Sequence, residues 1–309
     1  MTSKTVNGYI PSTIPRELRR NRTGGQYEPG SAHVAAWRRR YYAKKAVKMT
    51  PQVRLVIEEK LRKDWAPEQI SGWMKKTGQE VQVSHQRIYD YAVRDRLNSG
   101  RLYLHLHHRH KPRRKRKGKP EYYGLIKGRI GIEERPAIVE EKARLGDWEM
   151  DTIIDANHKG ALVSLVERCS KYTLIAGVPT KHAQPIAEKV IDLLKPIKDA
   201  VHTLTVDNGK EFADHQNIAN ALDAKVYFAH PYSPWQRGLS ENTNGLIGQY
   251  FPKKKYLASV QQSEIDVVID KLNNRPRTTL NFDTPTQKSE KLRAPQRHQP
   301  QMALQSPIQ

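Results

Sequence analysis

From Gly146 onward the chain carries three strand-like runs in succession, GDWEMDTIID, ALVSLVER and KYTLIAGVP. Asn157-His158-Lys159-Gly160 and Cys169-Ser170-Lys171 are the turns between them. Turns this short join antiparallel neighbours, so the runs are expected to form a meander. The period then changes. Residues 182–199 place Ile186, Val190, Ile191, Leu193 and Leu194 at helical spacing, HTLTVDNG reads as a fourth strand, and EFADHQNIANAL reads as a helix. KVYFAH follows as a fifth strand, and residues 233–250 and 260–272 as two further helices. An order βββαβαβαα buries its apolar faces as an α/β layer structure, a mixed sheet with helices packed on it.

The first 120 residues have another texture. They hold 29 Lys+Arg against 9 Asp+Glu, whereas the remainder holds 25 against 23. A basic half joined to a near-neutral half implies a polyanion-binding module attached to something else. Within it, STIPRELRRNR reads as a short basic helix with Ser12-Thr13 at its start, and residues 31–48 as a second. PQVRLVIEEKLRK is amphipathic, with Val53, Val56, Ile57 and Leu61 on one face. A helix starting near Pro67 and another capped by Ser84 complete a helix-turn-helix unit. Its last helix would present His85, Gln86 and Arg87 to base edges in the major groove. Arg16, Arg19 and Arg20 of the first basic helix are further candidates for DNA contact. Residues 105–120, HLHHRHKPRRKRKGKP, have no apolar period and read as a basic linker. Arg113, Arg114, Lys115, Arg116 and Lys117 suit phosphate contacts there, and the histidines suit phosphate better than metal.

Three acidic residues point to chemistry. Asp151 lies within the first strand, Asp207 at the end of the fourth, and Glu241 on the helix of residues 233–250, with 33 residues between the last two. Asp151 and Asp207 are expected on adjacent strands, at the sheet end where ligands of open α/β sheets collect. Glu241 is expected on the third turn of a helix begun near Pro234 and packed across that edge. Glu149 and Asp155 compete with Asp151, which is preferred because the apolar Thr152-Ile153-Ile154 follows it. Three carboxylates brought together repel unless a cation compensates. Oxygen ligands with a single cysteine, Cys169, in the chain favour Mg²⁺ or Mn²⁺ over zinc. Two such ions can activate an attacking oxygen and stabilise a departing one in displacement at phosphorus.

Residues 146–285 resemble the catalytic domain of the insertion sequence 30 family of bacterial transposases. The segments GDWEMD, LVERCSKYT, LTVDNGKEF, YFAHPYSPWQRGLSENTNGLIGQYFPK and LNNRPRTTLNFDTP carry the resemblance. It implies a ribonuclease-H-like α/β fold preceded by an all-α DNA-binding region, with the acidic triad on Asp151, Asp207 and Glu241. Asn242 and Asn244 flank Glu241, and Lys253, Lys254 and Lys255 are expected to meet DNA backbone. WAPEQISGWMK and VSHQRIYDY are similar to the family's second helix-turn-helix. STIPRELRRNR is similar only to the recognition helix of its first.

The expected organisation is a remnant of the first helix-turn-helix in residues 1–50, the second in 51–104 and a basic linker in 105–122. A catalytic domain in 123–285 and a Pro- and Gln-rich disordered tail in 286–309 complete it. The family implies a transposase acting with Mg²⁺ on double-stranded DNA, both the element's terminal inverted repeats and the target, as a homodimer or higher oligomer. Two rival readings are a repressor derived from a transposase, acting through residues 12–97, and a metal-dependent nuclease of the same fold. The lone cysteine suits a reducing cytoplasm, and the resemblance implies a bacterial, nucleoid-associated protein. No apolar run reaches the roughly 18–20 residues that span a bilayer.

Overall fold

The computed structural model describes residues 13–23, 25–43, 48–107, 126–155, 160–231, 233–252 and 255–293. The chain divides into two compact units, Met1–Thr50 and Pro51–Gln309.

In the first unit, helix α1 (Thr13–Asn21) leads through a short antiparallel pair, β1 (Arg22–Thr23) and β2 (Gln26–Tyr27), to helix α2 (Pro29–Tyr42). Helix α2 starts two residues earlier than its sequence period suggests, because Glu28 caps it. The Glu28 carboxylate accepts from the backbone N–H groups of Gly30 and Ser31, and Pro29 fills the first position, where no N–H is needed. Arg39 of α2 donates to the side chain of buried Asn21, which ties the two helices together.

The second unit begins with helices α3 (Pro51–Arg62), α4 (Pro67–Lys76) and α5 (His85–Leu97). Ile57, Leu61, Ile70, Met74, Val83, Ile88 and Ala92 close on one another as their buried centre. The Ser84 hydroxyl accepts from the Arg87 N–H at 3.4 Å and starts α5 where the sequence places it. The expected three-helix unit is therefore formed.

The sheet follows. A short strand β3 (Ile130–Gly131) and helix α6 (Ile138–Glu141) precede strands β4 (Asp147–Ile154), β5 (Ala161–Glu167) and β6 (Thr173–Val178). Then come helix α7 (Ala183–Leu194), strand β7 (Thr203–Val206), helix α8 (His215–Leu222) and strand β8 (Lys225–Phe228). Helices α9 (Gly238–Tyr250), α10 (Gln262–Asn273) and α11 (Pro285–Arg293) end the described fold. The six strands are ordered β3-β8-β7-β4-β5-β6. Strands β4, β5 and β6 form the antiparallel meander, while β7 runs parallel to β4, and β8 parallel to β7.

One face of this sheet packs on α7 and α8 through Val163, Leu165, Ile186, Val190 and Ile218; the other packs Leu162 and Ile175 on α9 and α10 through Ile247, Ile265 and Leu272. Cover on both faces explains why β5 is buried throughout and carries apolar residues on both sides, with Ser164 as the polar exception before Glu167. Gly146, which opens the meander, has φ +102°, and a Cβ there would lie 2.1 Å from the Ala200 carbonyl oxygen, so this tight entry into β4 takes glycine.

The three-helix unit and the sheet belong to the same compact unit. A Cβ at Gly72 of α4 would lie 2.0 Å from the ring of Phe282, and Lys76 pairs with Asp283 at 2.5 Å. Asp64, at the end of α3, receives Lys271 at 2.6 Å, the Tyr250 hydroxyl at 3.2 Å and His105 Nδ1 at 2.8 Å. His105, expected to face phosphate, is thus held by a carboxylate. His107 Nδ1 meets Gln249 at 3.3 Å, and His108 and His110 lie outside the described residues.

Helix α11 occupies the start of the Pro- and Gln-rich segment. Thr284 Oγ1 accepts from the Gln287 N–H at 3.2 Å and Gln287 Oε1 accepts from the Thr284 N–H at 3.0 Å. This capping box, with Pro285 in the first position, starts a helix that the polar composition conceals.

Candidate active site

Strand β4 carries Asp147, Glu149 and Asp151 at alternating positions, hence on one face. Each meets an arginine. Asp147 takes Arg144 through Nε at 2.9 Å and Nη2 at 3.0 Å, and also accepts from the Thr203 hydroxyl at 2.7 Å. Glu149 takes Arg168 at 2.6 Å, both side chains being buried. Its other oxygen accepts from the Ser240 N–H at 2.9 Å and the Ser240 hydroxyl at 3.1 Å. Glu149 thereby joins β4 to the start of α9, both of its oxygens being taken by Arg168 and Ser240. Asp155, the other rival, is buried and accepts from the Leu257 N–H at 3.2 Å.

Asp151 is placed differently. The pairing Glu149↔Thr205 between β4 and β7, carried two residues on, sets Asp151 beside Asp207 just past the end of β7. One guanidinium serves both: Arg237 Nη2 donates to Asp207 Oδ2 at 2.9 Å, Nη1 stands 3.6 Å from Asp151 Oδ1 and donates to the Met150 carbonyl at 3.1 Å. Asp207 Oδ1 accepts from the Gly209 N–H at 2.9 Å. On the other side of Asp151, Asn244 Nδ2 donates to Oδ2 at 2.8 Å, while Asn244 Oδ1 accepts from the Ser164 hydroxyl at 2.9 Å. Ser164 is the β5 residue directly opposite Asp151, so strand register and helix α9 together fix this carboxylate. Burial pushes the Asp151 pKa up to about 6; Arg237 opposes the rise and Asp207 adds to it. Glu211 stands nearby, accepting from the Thr152 hydroxyl at 3.1 Å.

Glu241 is exposed in the first turn of α9. Sequence spacing puts it on a third turn, but residues Pro234–Arg237 form a separate 3₁₀ turn and the α-helix starts at Gly238. The helix N-terminus is a favourable place for a carboxylate. No three acidic or histidine side chains among the described residues are gathered closely enough to hold a metal ion. The donors that do lie together, Asp151 and Asp207, are carboxylates, the ligand type that suits a hard dication.

The integrase core domain model matches residues 141–234, from the end of α6 to the 3₁₀ turn before α9. The transposase for insertion sequence element IS4351 of Bacteroides fragilis is 41% identical over 283 residues, covering 91% of this chain and 86% of that one. Transposase InsI for insertion sequence element IS30A of Escherichia coli (strain K12) is 36% identical, over 89% of this chain and 74% of that one. The chain belongs to the insertion sequence 30 family of transposases. The transposase for IS1086 of Cupriavidus metallidurans is 36% identical over 91% of this chain and 85% of that one. The α/β sheet, with its antiparallel meander and parallel extension, is the ribonuclease-H-like core expected of this family.

The remaining candidates of this family member stand as follows. His85, Gln86 and Arg87 are exposed on the first turn of α5, and Arg16, Arg19 and Arg20 are exposed on α1. Lys255 pairs with Glu264 at 2.7 Å and lies over the Phe251 ring at 5.0 Å, so a local carboxylate already holds it. Lys253 and Lys254, and Arg113, Arg114, Lys115, Arg116 and Lys117, lie outside the described residues. No described helix is long and apolar enough to cross a membrane. Sequence reasoning had not given roles to Arg237, Asn244 or Arg168. The first two lie in the SPWQRGLSENTN segment beside Glu241, but only the fold reveals that they turn toward Asp151.

Proposed function

We propose that this transposase binds the ends of its mobile element, cleaves a DNA strand there in a metal-dependent reaction, and joins the new 3′ end to target DNA. The observation that carries the reading is the side-by-side placement of Asp151, within β4, and Asp207, just past the end of β7, in a ribonuclease-H-like sheet. Asp151, Asp207 and Glu241 are the residues that would hold Mg²⁺, or Mn²⁺, two ions in all. Such ions, when bound, activate the attacking oxygen and stabilise the departing one. The chain's own part is positional. Asn244 and the Thr152 N–H orient the two Asp151 oxygens, the Gly209 N–H fixes Asp207, and Glu149 sets the start of the helix that carries Glu241.

Double-stranded DNA is the substrate class because the charge excess lies in the first 120 residues. In this reading His85, Gln86 and Arg87 meet base edges. Arg16, Arg19, Arg20, the run Arg113 to Lys117 and the trio Lys253, Lys254 and Lys255 meet phosphates, and two or more copies act on paired ends. Substituting Asp207→Asn tests the site. Mg²⁺-dependent cleavage is expected to be lost while DNA affinity, measured by mobility shift, stays near the wild-type value. Retained strand joining in that variant would remove Asp207 from the mechanism.

A further inference from the structure

The three arginines facing β4 differ in kind. Arg168 has 3% of its side chain exposed and sits in a closed network with Glu149 and Glu140. Arg144 belongs to the same turn as its partner Asp147 and makes a two-pronged contact with it. Arg237 instead reaches from the 3₁₀ turn before α9 and spans two carboxylates that belong to different strands. Those carboxylates repel, and some cation has to stand between them for both to be ionised. In this structure a guanidinium fills that requirement. It engages Asp207 Oδ2, while the other Asp207 oxygen is taken by the Gly209 N–H.

Resting on the reading of Asp151 and Asp207 as metal ligands, we propose that Arg237 is their resting counter-ion and competes with divalent metal for them. Metal entry then frees its guanidinium for a backbone phosphate of bound DNA. The lone pairs of Asp207 that Arg237 Nη2 now uses would be needed to hold a dication, so the carboxylate could not serve both cations fully at once. The released group would stay beside the two carboxylates, since its backbone belongs to the 3₁₀ turn Pro234–Arg237 that leads into α9. A planar five-donor fork matches phosphate oxygens as it matches a carboxylate. Arg237 is thus a positioning residue, holding the two aspartates in register before metal and DNA arrive.

The test is Mn²⁺ binding to the full chain without DNA, followed by electron paramagnetic resonance of the free ion. Arg237→Gln is expected to bind Mn²⁺ about tenfold more tightly than wild type, the effect of removing one charge-assisted competitor. Arg237→Lys, which keeps the charge but not the fork, is expected to fall between them. Thermal melting supplies a second readout. Metal-free Arg237→Gln should melt below wild type and gain more from saturating Mn²⁺ than wild type does. A residue that merely braced the fold would weaken metal binding when removed. Equal or weaker Mn²⁺ affinity in Arg237→Gln, with Asp207→Asn still lowering affinity, overturns the competition. If Asp207→Asn has no effect on Mn²⁺ affinity, the ligand assignment beneath the proposal fails as well.

Discussion

Asp151 is held between opposing influences. Burial drives its pKa up to about 6; Arg237 pulls it down and Asp207 pushes it further up. An unfolded aspartate gives up its proton near pH ~4, so between that point and about 6 the unfolded state binds fewer protons than the folded one. Stability therefore falls as pH rises through this window and levels off above it. Asp151→Asn carries no such charge. Its melting temperature without metal is expected to match wild type at the acid end of the window and to rise above it toward neutral pH. The corresponding gain in stability should level off at about 3 kcal/mol. Melting curves across the window check this, and a difference independent of pH would show that charge burial is not its source. Asn244 makes the same point geometrically. It donates to the Asp151 carboxylate while accepting from Ser164, so the carboxylate's direction is fixed from two elements at once.

At the scale of elements, the site depends on how β4 meets α9. Glu149 connects them by pairing with Arg168 on one oxygen and receiving the Ser240 N–H and hydroxyl on the other. Arg168→Ala would leave this buried carboxylate without its counter-ion. The expected loss is about 3–5 kcal/mol of stability, read from denaturant unfolding, whereas a loss below about 1 kcal/mol, the level of an exposed pair, would contradict the role. Strands β4 to β8 were legible because they are rich in apolar residues and bounded by turn residues, whereas the two-residue strands β1, β2 and β3 leave no pattern of their own. The start of α9 was not, since Pro234 suits the first turn of either helix type and only backbone geometry separates the 3₁₀ turn from the α-helix. Helix α11 was concealed by its polar residues and betrayed only by Thr284 and Gln287. The neighbouring placement of Asp151 and Asp207 was legible, because one lies in the first strand of the meander and the other ends the strand expected beside it. Arg237 was not, because no local pattern tells that an arginine beside the third acid turns back to the first two.

The molecule as a whole joins two kinds of surface. Its basic residues concentrate in the first 120 positions, and its acidic site lies in the near-neutral remainder. The three-helix unit α3–α5 is fastened to the sheet-bearing part of the second unit through Asp64 with Lys271 and Tyr250, Lys76 with Asp283, and Gly72 beneath Phe282. Helix α5, proposed to meet base edges, and the carboxylate pair Asp151 and Asp207 thus belong to one compact unit. The central claim is that Asp151, Asp207 and Glu241 act together on DNA, and Glu241 is the member that stands apart in this structure. The most direct measurement incubates the full chain with DNA carrying the element's end, target DNA and Mg²⁺, and compares joined product from wild type and Glu241→Gln at equal DNA occupancy. Joining is expected to fall by several orders of magnitude in the variant; joined product at the wild-type rate would contradict the account.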